Sequence, residues 1–150
     1  KNQICRCTPS QIHNYVSKLS GPLMDRIDLQ IEVDNISYDE LRTKQEGETS
    51  AEIKKRINRV RALQRERFAK DGISTNAEMG SRELAKYCQI DENCERLLKK
   101  AFEKLNLSAR GTTRILKVAR TIADIEGSEN ITPAHIAEAI QYRGLDRKYS

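Results

Sequence analysis

Apolar positions recur along this chain at two periods, and the change of period predicts its elements. Ile12, Tyr15, Val16 and Leu19 keep helical spacing behind Thr8-Pro9, a capping residue followed by proline at the first helical position, which predicts a helix over 9–19. Ser20-Gly21-Pro22 stops that helix, and Leu23 to Asp25 reads as a tight turn or a single helical turn. Ile27, Leu29, Ile31 and Val33 then alternate with Asp28, Gln30 and Glu32, the period of a half-buried strand. It is the one strong strand signal in the chain. A lone strand is not stable in water, so its sheet is expected elsewhere.

From there the period is helical throughout. Tyr38 to Lys44 reads as a short helix, and Gln45 to Ser50 as a polar linker. Thr49 and Glu52 form a capping box that opens a long helix to about Ala69, with Ile53, Ile57, Val60 and Leu63 as its apolar stripe. Asp71-Gly72 ends it. Ser74 to Gly80 reads as a loop, and Ser81 as the cap of a short helix to Tyr87 or Cys88. Asp91 caps a helix that buries Cys94, Leu97, Leu98, Ala101, Phe102 and Leu105. Ser108 caps a helix from 109 to about 125, and Gly127 to Asn130 is a turn. Thr132-Pro133 opens a last helix to Tyr142, with Ile136, Ala139 and Ile140 inward. The fold class expected is mainly α: a helical bundle preceded by a remnant of an α/β core with one clear strand.

Charge adds a possible partner. The 150 residues carry a net charge of +5, with 33% charged and 37% hydrophobic residues. That composition supports a modest core under a charged surface and permits polyanion binding. The long helix carries Lys54, Lys55, Arg59 and Arg61 among other cations, a candidate nucleic-acid surface; a solvated connecting helix is the alternative, because the charges surround the helix. Aromatic residues are only 5% and Trp is absent, which disfavours a stacking platform for single strands. No apolar run approaches the ~18 residues of a membrane span, and no targeting pattern is visible. The chain reads as a piece of a longer cytoplasmic protein.

Candidate chemistry is sparse. Cys5-x-Cys7 is a metal half-site at most, with His13 as a conceivable third ligand, since structural zinc takes four ligands. Cys88 and Cys94 fall on apolar helical positions and read as buried thiols. His135 sits near a helix cap without an evident acid or thiol partner. No nucleophile triad, dinucleotide loop, carboxylate pair or phosphate-binding loop is present, so the chain alone is not expected to be an enzyme. Two arginines stand at boundaries: Arg26 before the alternating segment, and Arg110 in the first turn of a helix, with Arg114 one turn on. On spacing alone, Arg26 reads as an ion-pair partner of Asp25 or Asp28, and Arg110 and Arg114 belong to a solvated face.

The segments around those arginines carry a resemblance. Ser20-Gly21-Pro22-Leu23-Met24-Asp25-Arg26-Ile27-Asp28 resembles the S-G-P-L-L-D-R-I-D element of the ComM-type (YifB-like) branch of magnesium-chelatase-like AAA+ ATPases. Leu107-Ser108-Ala109-Arg110 with Arg114-Ile115-Leu116-Lys117-Val118-Ala119-Arg120 resembles its second arginine element. Asn76-Ala77, Arg82-Glu83-Leu84, Glu138 to Arg143 and Leu145-Asp146-Arg147 extend the likeness over nearly the whole chain. Gly111-Thr112-Thr113 departs from it, where Ala, Tyr and a polar residue are expected.

The resemblance implies the C-terminal part of an ATP-driven ring, a hexamer of identical subunits. Residues 1–34 would be the tail of the α/β core, 35–75 a helical connector and 76–150 the helical lid. Arg26 would be an arginine finger acting in trans, and Arg110 the sensor-2 arginine, with Arg114 in reserve. ATP and Mg²⁺ would bind the parent protein, and a further upstream cysteine pair would complete a zinc site with Cys5 and Cys7; no cofactor is expected for the isolated chain. The resemblance implies a motor on branched DNA, active in recombination and natural transformation. The alternatives are a chelatase-type ATPase that drives Mg²⁺ into a porphyrin, or a nonenzymatic basic interaction module.

Overall fold

The computed structural model describes residues 6–18, 21–33, 36–38, 42 and 47–143. Among them the elements are all helical: α1 (Pro9–Val16), α2 (Gly21–Met24), α3 (Ser50–Arg67), a 3-10 turn (Asn76–Glu78), α4 (Ser81–Tyr87), α5 (Glu92–Leu105), α6 (Ala109–Glu126) and α7 (Pro133–Gln141). The mainly helical class expected from the pattern is the one found.

Helix starts follow local chemistry. Thr8 and Thr49 close full capping boxes, with Gln11 and Glu52 returning the bond. Asp91 accepts from the Cys94 amide at 2.8 Å and Ser108 from the Gly111 amide at 3.1 Å. α6 ends at Gly127 with φ +75°, where the Ser128 amide reaches back to the Ala123 carbonyl at 2.8 Å. One start differs from expectation. The cap of α4 is Gly80, and Ser81 is already helical, because Glu83 accepts from the Gly80 amide at 2.8 Å and closes the turn one residue earlier.

α6 is the hub. It packs most extensively on α7 and also meets α3, α4 and the 3-10 turn, while α5 closes against α7. The core between them holds Met79, Cys94, Leu98, Ile115, Ala119 and Ile136, with Phe68 at the end of α3. Phe68 and Tyr87 meet edge to face with ring centroids 5.2 Å apart. Phe102, read as part of the buried stripe of α5, lies half exposed on its flank.

Three further expectations are corrected. Residues 27–33 form no strand: Leu29, Ile31 and Val33 stand exposed, Val33 by 87%, and no ladder partner lies beside them among the described residues. Their alternation is a pattern for a sheet, and backbone donors and acceptors without a neighbouring strand cannot form one. The segment is held from the side of the bundle: the Gln30 amide donates to the Tyr142 carbonyl at 2.8 Å, Arg143 Nη1 to the Ile27 carbonyl at 2.8 Å, and Arg114 pairs with Asp28. The apolar stripe of α3 is also mostly uncovered, since Val60 is buried but Ile53, Ile57 and Leu63 are exposed. α1 ends at Val16, short of Leu19. Most of the expected short helix over 38–44 falls outside the described residues.

Candidate functional site: an arginine-lined cleft

The helix α2 is one turn long, and the chain leaves it in two tight hydrogen-bonded steps. The Arg26 amide donates to the Leu23 carbonyl at 3.0 Å and the Ile27 amide to the Met24 carbonyl at 3.1 Å. This turn lies against the N-terminal half of α6. Between them is an open cleft of about 550 Å³, lined by Asp25 and Arg26 from the turn and by Arg110, Thr113, Arg114 and Lys117 from the helix. Residues 84 positions apart in sequence (110 − 26) therefore share one surface.

The four cations of the cleft differ in what they already hold. Arg114 pairs with Asp28. Lys117 Nζ donates to the Ala77 carbonyl at 2.8 Å. The Asp25 carboxylate is taken by Arg143, whose Nη2 lies 3.3 Å from Oδ1. Neither carboxylate beside Arg26 is thus its partner, and the ion pair that spacing alone suggested goes to other arginines. Among the described residues, the side chains of Arg26 and Arg110 make no hydrogen bond or ion pair, and both are exposed. Arg110 is the second residue of α6, where unpaired amides and the helix dipole favour an anion. The cleft offers two uncommitted guanidiniums, and its chemistry is that of an anion receptor.

The cations of α3 divide in the same way. Lys54, Lys55 and Arg61 are exposed, while Arg59 Nη2 donates to the Ile125 carbonyl at 3.1 Å and ties the helix to the end of α6. Arg56 binds Glu48, with one bond of 2.9 Å. Arg67 turns inward and is largely buried. Its guanidinium grips the buried carboxylate of Asp124, with Nη1 2.8 Å from Oδ2.

Asp124 is a site that reasoning from the sequence missed. Its carboxylate also accepts from Arg120 Nε at 3.1 Å, Asn76 Nδ2 at 2.8 Å and Gln64 Nε2 at 3.2 Å. Arg120 goes on to the carbonyls of Ser128 and Glu129. Burial pushes this carboxyl up, but the bonds from Arg67 and Asn76 outweigh it and hold the group below its ordinary range. The available signal is Asn76-Ala77 and Arg120, both within the segments that carry the family resemblance. A larger cavity of about 680 Å³ opens beside this network, between α3, Tyr87 and the turn after α6. Its two innermost arginines, Arg67 and Arg120, are spent on Asp124.

The cysteines are placed as follows. Cys88 and Cys94 are buried, and burial raises both thiols to about 11. Cys7 is exposed, as is His13; Cys5 lies outside the described residues. Among the described residues no group of three or more His, Cys, Asp or Glu is arranged to hold a metal ion. No described helix is long and apolar enough to cross a membrane. His135, read as partnerless, has two partners: Nδ1 accepts from the Thr132 amide at 3.0 Å, and Nε2 lies 2.8 Å from Glu126 Oε2.

Comparison with known proteins places the chain. Residues 47–143 match the profile described as magnesium chelatase, subunit ChlI C-terminal, and residues 1–41 match that of magnesium chelatase, subunit ChlI. Competence protein ComM of Haemophilus influenzae is 43% identical over 95% of this chain. The uncharacterised proteins YifB of Salmonella typhimurium and of Escherichia coli are each 41% identical over the same share. The chain spans 27% of the length of the first and 28% of each of the others.

Proposed function

Because this chain belongs to the magnesium chelatase subunit ChlI family, we propose that it is the C-terminal, lid-bearing part of a ComM-type AAA+ ATPase, and that its cleft completes a nucleotide site. In this reading residues 1–34 end the α/β core, 35–75 connect, and 76–150 form the lid. Arg26 is the trans-acting finger and Arg110 the sensor-2 arginine. The carrying observation is that these two line one cleft, each without a side-chain partner among the described residues. Side chains on one cleft meet one nucleotide. A finger that serves the neighbouring subunit therefore brings Arg110 to the same phosphates. The cleft fits that group by charge, with two free guanidiniums and Lys117 beside it. ATP supplies the leaving group and free energy when bound; Arg26 and Arg110 hold charge on its terminal phosphate, a role worth about 10³–10⁵ in rate in other NTPases. Arg114, already committed to Asp28, is the weaker candidate of the pair. The described residues offer no carboxylate set for Mg²⁺, which the remainder of the parent protein would hold. A zinc site, if the parent builds one, would draw on Cys5 and Cys7.

The parent protein is then a cytoplasmic ring of identical subunits, a hexamer, acting on DNA. Support for DNA comes from the exposed Lys54, Lys55 and Arg61 on α3 and from the likeness to a competence protein. The experiment is ATP hydrolysis by the full-length protein with and without branched DNA, beside the Arg26→Ala variant. DNA-stimulated turnover that Arg26→Ala abolishes while nucleotide still binds supports the reading. Normal turnover by that variant in the assembled ring sinks the finger assignment, and turnover indifferent to DNA moves the function to a chelatase-like engine.

A further inference from the structure

Arg143 is the most deeply buried large charged side chain in the described structure, at 1% exposure. A buried guanidinium costs several kcal/mol in lost hydration unless its donors are matched. Here they are matched on the turn that carries Arg26. Nη1 donates to the Ile27 carbonyl at 2.8 Å, and Nη2 reaches Asp25 Oδ1 at 3.3 Å. The two acceptors flank Arg26 on either side in sequence. One planar fork thus fixes the residue before the finger and the residue after it, and leaves the finger itself in the cleft.

The other attachments of this turn point the same way. The Tyr142 carbonyl accepts from the Gln30 amide, and Arg114 pairs with Asp28. Arg143 is itself anchored, its amide bonded to the Ile140 carbonyl at 2.9 Å as the chain leaves α7. α7 packs on α6, which carries Arg110. Arg26 and Arg110 are therefore joined through Arg143 and α7 as well as across the cleft.

We propose that Arg143 is a positioning residue for the finger: its bidentate grip on Asp25 and Ile27 sets where the Arg26 guanidinium stands relative to Arg110. This rests on the reading of Arg26 as the finger. Lysine cannot reproduce the grip, because an ammonium offers no planar fork spanning two acceptors. Misplacing a reacting group by about 1 Å costs about 10²-fold in rate.

The test uses the full-length ATPase and compares Arg26→Ala, Arg143→Lys, Asp25→Asn and the double variant Arg26→Ala/Arg143→Lys. Arg143→Lys is expected to lower kcat by about tenfold to a hundredfold, with KM for ATP and the assembled ring unchanged, and to add nothing on top of Arg26→Ala. Asp25→Asn takes the charge out of the Arg143 grip, weakening one arm of the fork, and leaves the buried arginine in place, so it reports even where Arg143→Lys does not fold. Removing a carboxylate beside a phosphate site favours the anion by simple electrostatics, so a loss of kcat in Asp25→Asn reads as lost position. Normal kcat in the folded variants, with Arg26→Ala defective, overturns the role of Arg143 and leaves the finger standing. A loss in Arg143→Lys that adds fully to that of Arg26→Ala also overturns it. Normal turnover by Arg26→Ala overturns the finger reading itself.

Discussion

Arg67 and Asp124 stand 57 residues apart in sequence and form a buried two-pronged ion pair, the guanidinium of α3 closing on the carboxylate near the end of α6. Arg120, Asn76 and Gln64 complete the shell, so five hydrogen bonds converge on one carboxylate. A basic residue that looks solvated in sequence is the bolt between the connecting helix and the bundle.

Breaking that pair from the acid side strands two arginines. Asp124→Ala is expected to destabilise the fold by about 3–5 kcal/mol, the usual cost of leaving a buried charge uncompensated. Denaturant midpoints measure it. The same group gives a pH dependence. Its folded pKa is depressed, so its contribution is present above the ordinary aspartate value of 3.8 and is lost as pH falls below that value. Thermal midpoints should fall across that window in the wild type and be flatter in Asp124→Asn.

Gly111 stands in the first turn of α6. A Cβ built there would lie 3.6 Å from Arg143 Nη2, from Asp25 Oδ1 and from Leu107, which is ordinary contact. Gly111→Ala should therefore stabilise α6 by up to about 1 kcal/mol without disturbing the Asp25–Arg143 pair. A lower denaturant midpoint would show that the space beneath the turn is tighter than these distances allow.

His135 takes the place that Glu or Gln holds in a capping box. Its Nδ1 accepts from the Thr132 amide, and its Nε2 faces Glu126. His135→Gln keeps an acceptor for that amide and should be the milder change. His135→Ala loses the cap and should cost at least about 1 kcal/mol. Equal thermal midpoints for the two variants would remove the cap from the account.

Arg110 and Arg114 should separate kinetically. Arg110 has no side-chain partner among the described residues and Arg114 is paired to Asp28. On the proposed ATPase reading, Arg110→Ala in the full-length protein should lower turnover at least tenfold more than Arg114→Ala, a difference of about 1.4 kcal/mol in barrier. The reverse order in kcat would exchange their roles.

Thiol labelling checks the packing independently. Burial raises Cys88 and Cys94 to about 11, so at neutral pH the reactive thiolate is scarce and covered. Alkylation of the native protein should mark the exposed Cys7 and spare both until denaturant is added.

The sequence by itself determined the helices, most of their first residues and the family. Thr8, Thr49, Asp91 and Ser108 cap where they stand because a cap bonds a backbone amide within three residues, a distance that composition and order fully specify. Arg26 and Arg110 were legible as candidates because the segments around them carry a recognisable order of residues. Only the tertiary structure decided which charges are spent. Arg67, Arg114 and Arg143 look as free in the sequence as Arg26, and they are committed to carboxylates 57, 86 and 118 residues away. No local spacing encodes such a partner; it is set by how α3, α6, α7 and the turn after α2 pack. The alternation at 27–33 shows the same limit from the other side. A side-chain pattern prepares a strand, but a strand exists only where a neighbouring backbone supplies the other half of each hydrogen bond.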